Sequence, residues 1–309
     1  MPNLVLAMEK PNGFPTKSLE IIVPYGQGGG SYQMASNFAQ SLKTIIGVEV
    51  DVIAMPGSFG IEGTNHYMKR EADGYSILQQ VDIIASLYAV KKIEINPVVD
   101  LTPLAITQIA VSQIYISNLD SRFKNWPEFY DYGTRSNNKI SIATVGSKES
   151  MEQLSMKILE FATSISTQQV PYDRPALRYM ALVEGRVDAL FEQPGDVAPF
   201  LNRKLIKPIL TLVSKQHLTD DFGNTPTLDD FGLNITLPQR FRGFFINTKV
   251  DDERKKYLEW ALKQAYNSDS FKTFNKNQHV ITNSYRNIEH ATLLMKENIK
   301  FYQKINIKK

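Results

Sequence analysis

Cysteine is absent from the 309 residues, which removes disulfides, thiolate metal sites and a cysteine nucleophile together. Histidine is scarce. His66, His217, His279 and His290 are the four present, and their wide separation gives no metal-ligand spacing. Charge of either sign is barely in excess: Lys and Arg number 35 against 32 Asp and Glu, a formal net of +3. With no long basic block, nucleic-acid binding has no electrostatic support. No run approaches the roughly 18 apolar residues that a membrane helix needs. The opening, Met1 to Lys10, is too short and too polar for a whole signal peptide, with Leu4-Val5-Leu6-Ala7 at most a remnant of one.

What is present is a soluble-protein balance, 42% hydrophobic and 22% charged, arranged as strand-like and helix-like segments in alternation. Leu19 to Val23 is a short apolar run closed by Pro24. Ser31 then reads as an N-cap before a helical face of Met34, Ala35, Phe38, Ala39, Leu42, Ile45 and Ile46. Val48 to Ala54 reads as a second strand, Ile61 to Met68 as a helix and Tyr75 to Leu78 as a third strand, a βαβαβ unit of a parallel sheet. The pattern begins again with a helix at Trp126 to Tyr132 and strands at Ile140 to Ala143, Gln168 to Pro171, Val187 to Phe191 and Ile209 to Val213. Between them, Met151 to Ala162 predicts a helix with Leu154, Ile158, Leu159 and Phe161 toward the core, and Pro175 to Glu184 another. A strand at Phe244 to Asn247 and helices near Asp251 to Tyr266 and Asn287 to Tyr302 close the chain. Two α/β lobes with a return at the end fit this order better than one sheet.

Two connections carry the chemistry. Gly26-Gln27-Gly28-Gly29-Gly30-Ser31 joins the first strand to the first helix. Glycines allow a ligand close to the backbone, and a helix start presents unpaired N–H groups to an anion. No Gly-Lys-Ser/Thr follows, so this is not a phosphate loop, and the dinucleotide pattern is met only loosely. The second connection, Pro56-Gly57-Ser58-Phe59-Gly60, has the same character. In an open parallel sheet both leave at one edge, where ligands bind. Catalytic constellations are missing: there is no Gly-x-Ser-x-Gly elbow, and Glu149 with Glu152 reads as well as helix charge as it does as an acid–base pair.

The sequence Leu19-Glu20-Ile21-Ile22-Val23-Pro24-Tyr25, leading into Gly28-Gly29-Gly30-Ser31, resembles the opening signature of the Bug-type substrate-binding proteins of tripartite tricarboxylate transporters. Met55-Pro56-Gly57-Ser58-Phe59-Gly60, Ala72-Asp73-Gly74-Tyr75-Ser76-Ile77-Leu78, Val170-Pro171-Tyr172, Glu184-Gly185-Arg186-Val187-Asp188-Ala189-Leu190-Phe191 and Thr225-Pro226-Thr227-Leu228 continue the likeness in order along nearly the whole chain.

The resemblance implies an α/β, two-lobed periplasmic binding protein of the type II, Venus-flytrap kind. Each lobe is a mostly parallel sheet flanked by helices, and two crossing strands join them. It implies lobes at 1–118 with 232–309 and at 119–231, a hinge near Ser117-Asn118 and Phe241-Gly243, and a small carboxylate held between the lobes. It further implies delivery of that ligand to membrane permease subunits by a monomer that is no enzyme and needs no cofactor. The ligand set it implies is Tyr25, Gln27, Gly28, Gly29, Gly30, Ser31, Tyr32, Pro56, Gly57, Ser58, Phe59, Gly60 and Asp82 in one lobe. Thr144, Ser147, Ser150, Tyr172, Arg174, Glu192 and Gln193 serve the other. Arg174 and Arg242 are the candidate counter-charges. The family's first loop ends in Thr-Asp where this chain has Ser31-Tyr32, so a di- or tricarboxylate and an aromatic diacid both stand as ligand classes. A ligand sensor of the same fold, and an α/β enzyme holding a phosphorylated ligand on the first glycine loop, are the competing readings.

Overall fold

The computed structural model describes residues 8–135, 138–145, 150–172, 174–213 and 225–306. Leu4-Val5-Leu6-Ala7, Ser147, Glu149 and His217 therefore lie outside the described residues. The strands are β1 (Leu19–Val23), β2 (Val50–Ala54), β3 (Ser76–Val81), β4 (Leu101–Ala110), β5 (Gln113–Ser117), β6 (Ile140–Val145), β7 (Thr167–Tyr172), β8 (Ala189–Glu192), β9 (Ile206–Thr211) and β10 (Arg240–Asn247). The helices are α1 (Gly30–Ile46), α2 (Ile61–Met68), α3 (Ile83–Ala89), α4 (Trp126–Thr134), α5 (Met151–Thr163), α6 (Pro175–Val183), α7 (Pro194–Asn202), α8 (Asp252–Tyr266), α9 (Asp269–Asn277) and α10 (Ile288–Asn306).

The chain divides into two units, Met1–Gln108 with Phe241–Asn275 and Ser284–Lys309, and Ile109–Arg240 with Lys276–Asn283. It passes between them inside β4, at Gln108 and Ile109, inside β10, at Arg240 and Phe241, and again on either side of Lys276–Asn283. Ser117 and Asn118, at the end of β5, belong to the second unit.

In the first unit the sheet order is β2-β1-β3-β10-β4. β1 runs parallel to β2 and β3, and β10 lies antiparallel to β3. In the second unit the order is β7-β6-β8-β5-β9, with β6 parallel to β7 and β8, and β5 antiparallel to β8 and β9. Each sheet is thus mixed: three parallel strands that carry βα connections, extended by returning strands. The returning strands β4 and β5 escape a reading by periodicity because they are buried along nearly their whole length and so do not alternate.

The cores follow the apolar faces. Met34, Ala35, Phe38, Ala39, Leu42 and Ile46 of α1 are buried as the helical spacing predicts. The Phe38 ring lies 4.6 Å from Phe244 of β10 and 4.8 Å from Phe271 of α9, at separations where aromatic pairs add stability beyond their buried area. Two local expectations fail. α1 starts at Gly30 with Gly29 in the N-cap position, so Ser31 stands inside the first turn. On α5 the buried residues are Met151, Glu152, Gln153, Ser155, Met156, Leu159 and Thr163, so Leu159 is buried as expected while Phe161 is 94% exposed. The true stripe includes a carboxylate and a serine, which a count of apolar residues passes over.

Candidate functional site

β1 and β2 end side by side, with Val23 opposite Ala54. The Met55 amide extends the pairing by donating to the Val23 carbonyl at 2.8 Å. The two glycine connections therefore leave the sheet as neighbours. Tyr25 fastens them together. Its hydroxyl donates to Gln80 Oε1 at 3.0 Å, and the ring lies so close to Gly60 that a Cβ there would stand 3.1 Å from the phenol oxygen. Gly63 of α2 packs over Pro24 and the Met55 carbonyl, where a Cβ would collide with both. Gln80 is itself pinned, donating to Thr64 Oγ1 at 2.7 Å while its Oε1 accepts from the Val81 amide.

In the first connection Gln27 and Gly28 are exposed, and Gly28 has φ +82°, open to glycine and strained for other residues. The Gln33 side chain donates back to the Gly28 carbonyl at 2.8 Å. Gly30, Ser31 and Tyr32 form the first turn of α1, where helix geometry leaves the amides without an intrahelical acceptor. Ser31 is buried, and Tyr32 packs against the core of this unit.

In the second connection Gly57 has φ +153°, and Ser58, Phe59 and Gly60 follow with left-handed φ of 46°, 57° and 95°. The Gly60 amide donates to the Gly57 carbonyl at 2.9 Å, and the Ile61 amide to that of Ser58. Part of this loop's donor capacity is thus spent within the loop. Among the described residues, the Ser58 and Phe59 amides enter none of these backbone bonds.

Asp82 and Arg242 belong to the same edge. Asp82 follows β3 directly at the start of α3 and is fully buried. Arg242 pairs in register with Val81, the last residue of β3. It is buried, and its Nη1 donates to Gln108 Oε1 at 3.1 Å. Gln108 is held in turn by Asn275, donating to Oδ1 at 2.8 Å.

The second unit repeats the arrangement. β6, β7 and β8 are parallel, and their carboxyl ends bring Thr144, Tyr172 with Arg174, and Glu192 with Gln193 to one edge. Thr144 Oγ1 is buried and has no hydrogen-bond partner among the described residues. Ser150 caps α5, accepting from the Gln153 amide at 3.3 Å. Arg174 precedes Pro175 at the start of α6, with an exposed side chain.

Glu192 is committed within the protein. Its carboxylate takes Arg178 Nη2 and the Tyr179 hydroxyl, the latter at 3.1 Å, and accepts the Gln193 amide at 3.0 Å. Burial alone would raise its pKa; Arg178 and Arg240 more than offset this and hold the carboxyl below its ordinary range. Burial also pushes the Tyr179 hydroxyl well up, reinforced by Glu192 and Asp196. Beside this pair, Arg240 binds the buried Glu152 of α5. Glu152 is therefore the buried member of an ion pair and not a solvated helix charge.

Sequence reasoning missed Gln80, Gln108, Arg178 and Arg240, the residues that hold the others in place. Gln80 was legible as a polar residue at the end of an apolar strand; the arginines carried no local signal. Among the described residues no group of His, Asp and Glu can hold a metal ion, and no helix is long and apolar enough to cross a membrane.

Comparison with known proteins fits this geometry. A protein from Cupriavidus necator, the UPF0065 protein in the gbd 5′ region, is 23% identical over 266 residues, which are 86% of this chain and 80% of that protein. Two solved structures share the fold over 94% of this chain. MatC from Rhodopseudomonas palustris with bound malate has a TM-score of 0.81 at 19% identity, covering 99% of that chain. An R. palustris protein with adipate has a TM-score of 0.84 at 18% identity, covering 97%. The model of the tripartite tricarboxylate transporter family receptor matches residues 34–308, and the chain belongs to that family of solute-binding proteins.

Proposed function

We propose that this chain is an extracytoplasmic, periplasmic solute-binding protein that captures a small carboxylate and delivers it to the membrane permease of a tripartite tricarboxylate transporter. The observation that carries the reading is the pair of abutting glycine connections at the carboxyl edge of the first sheet, locked together by Tyr25 against Gly60. One ligand carboxylate is gripped there by amides of the α1 first turn and of Ser58 and Phe59. Each charge-assisted bond contributes about 1.5–3 kcal/mol where water is excluded. The malate and adipate in two structures of this fold support a carboxylate ligand. A diacid is the preferred class, with Arg242 in the first unit and Arg174 in the second as candidate partners of a further anionic group.

Three or four such bonds match the roughly 8 kcal/mol of a micromolar complex before the costs of association are met. Titration calorimetry with citrate, malate, succinate, adipate and terephthalate tests capture, which is overturned if none produces heat or a thermal shift. Uptake of the captured acid in cells lacking this protein tests delivery. Undiminished uptake would turn the reading toward a sensor.

A further inference from the structure

The second glycine connection carries an acid of its own. Glu62 stands in the first turn of α2, and its Oε1 accepts from the Ser58 hydroxyl at 2.7 Å. The carboxylate lies so close over Gly57 that a Cβ there would overlap it. Its own amide reaches back to the Gly57 carbonyl at 3.5 Å. Around this carboxylate the backbone holds Ser58 and Phe59 left-handed, a conformation that side-chain-bearing residues adopt only where the surroundings enforce it. The exposed Glu62 carboxylate therefore sits at the connection that is to receive a ligand's carboxylate. The start of α2 favours negative charge, and the chain already supplies one.

This inference rests on the carboxylate-capture reading and deepens it. We infer that Glu62 is a specificity-determining residue of the second glycine connection. It selects ligands whose substituent next to the gripped carboxylate is a hydrogen-bond donor, a hydroxyl or ammonium, and rejects those that place another carboxylate there. A donor group can bond to the free face of the Glu62 carboxylate. A second carboxylate at that position meets like charge without an intervening donor, which specific sites use to exclude wrong partners. Diacids whose carboxylates are separated along the chain escape the penalty, because their distant group lies away from Glu62.

The test compares four acids that differ only at one carbon: succinate, malate, aspartate and ethane-1,1,2-tricarboxylate. Each is titrated calorimetrically into the wild-type chain, Glu62→Gln and Glu62→Asp. The wild type binds malate or aspartate more tightly than the tricarboxylate. Glu62→Gln keeps the acceptor for Ser58 and removes the charge, and it narrows the gap by about five-fold or more. Glu62→Asp, which keeps the charge, keeps the preference, and a loop held up merely by packing would not separate the two variants in this way. An unchanged ratio in Glu62→Gln, with binding intact, overturns the role of Glu62 alone. Failure of every acid to bind every form overturns the capture reading itself.

Discussion

At the carboxyl edge of the first sheet two glycine connections present backbone amides, beside the buried side chains of Asp82 and Arg242. At the same edge of the second sheet the chain places Thr144, Ser150, Tyr172, Arg174, Glu192 and Gln193, backed by the buried pairs Arg178–Glu192 and Arg240–Glu152. One topology thus supports its edge by two means. Amides cannot be substituted away, so the first edge is vulnerable to a Cβ added at Gly57, Gly60 or Gly63. Side chains are replaceable one by one, so the second edge is vulnerable to a lost partner, and its stability and its geometry are coupled.

The largest effect expected from that contrast is Arg178→Met. It leaves Glu192 buried without its main counter-charge, and such losses cost about 3–5 kcal/mol. Urea unfolding of the variant should show this, and Arg178→Met with Glu192→Leu should recover most of it. Recovery in the double variant with carboxylate binding retained would show that the pair serves stability alone.

Gly57→Ala is the counterpart in the first edge. Its φ of +153° and the Glu62 carboxylate both oppose a Cβ, for a cost of about 1–3 kcal/mol together with weaker carboxylate binding. Wild-type affinity in Gly57→Ala would remove the contrast.

Acid should act on the second edge first. The folded Glu192 carboxyl has a lowered pKa, so the unfolded chain binds more protons. The pair's stabilisation is present above the ordinary glutamate value of about 4.3 and is lost as pH falls through the lower folded value. The urea midpoint should decline with acidification more steeply in the wild type than in the Arg178→Met, Glu192→Leu variant. Smaller again are Ser150→Ala, which removes the α5 cap for about 1 kcal/mol, and Tyr25→Phe, which removes the bond to Gln80 for about 0.5–1.5 kcal/mol. Tyr25→Phe acts on the glycine connections and should weaken carboxylate binding, which titration calorimetry would show.

The parallel half of each sheet was legible because every strand there is followed by a helix, and the change of period from two to 3.6 marks the junction. The glycine connections were legible for the same reason, since they fall at those junctions. β4 and β5 were not, because burial on both faces leaves no alternation to count. Glu192 ends β8, next to the strand read at Val187 to Phe191, but its commitment to Arg178 depends on α6 packing beside β8. That is a tertiary fact with no trace in local spacing. Phe161 shows the converse, an aromatic at helical spacing that the helix turns to solvent.

β10 carries Arg240 and Arg242 two positions apart, one in each unit. Successive residues of a strand face opposite ways, and each arginine is anchored within its own unit, Arg240 by Glu152 and Arg242 by Gln108. Adding or deleting one residue at Phe241 would turn one arginine through half a revolution and break one anchor whichever way the strand settled. The length of this segment is consequently set by two polar anchors rather than by its mostly apolar makeup.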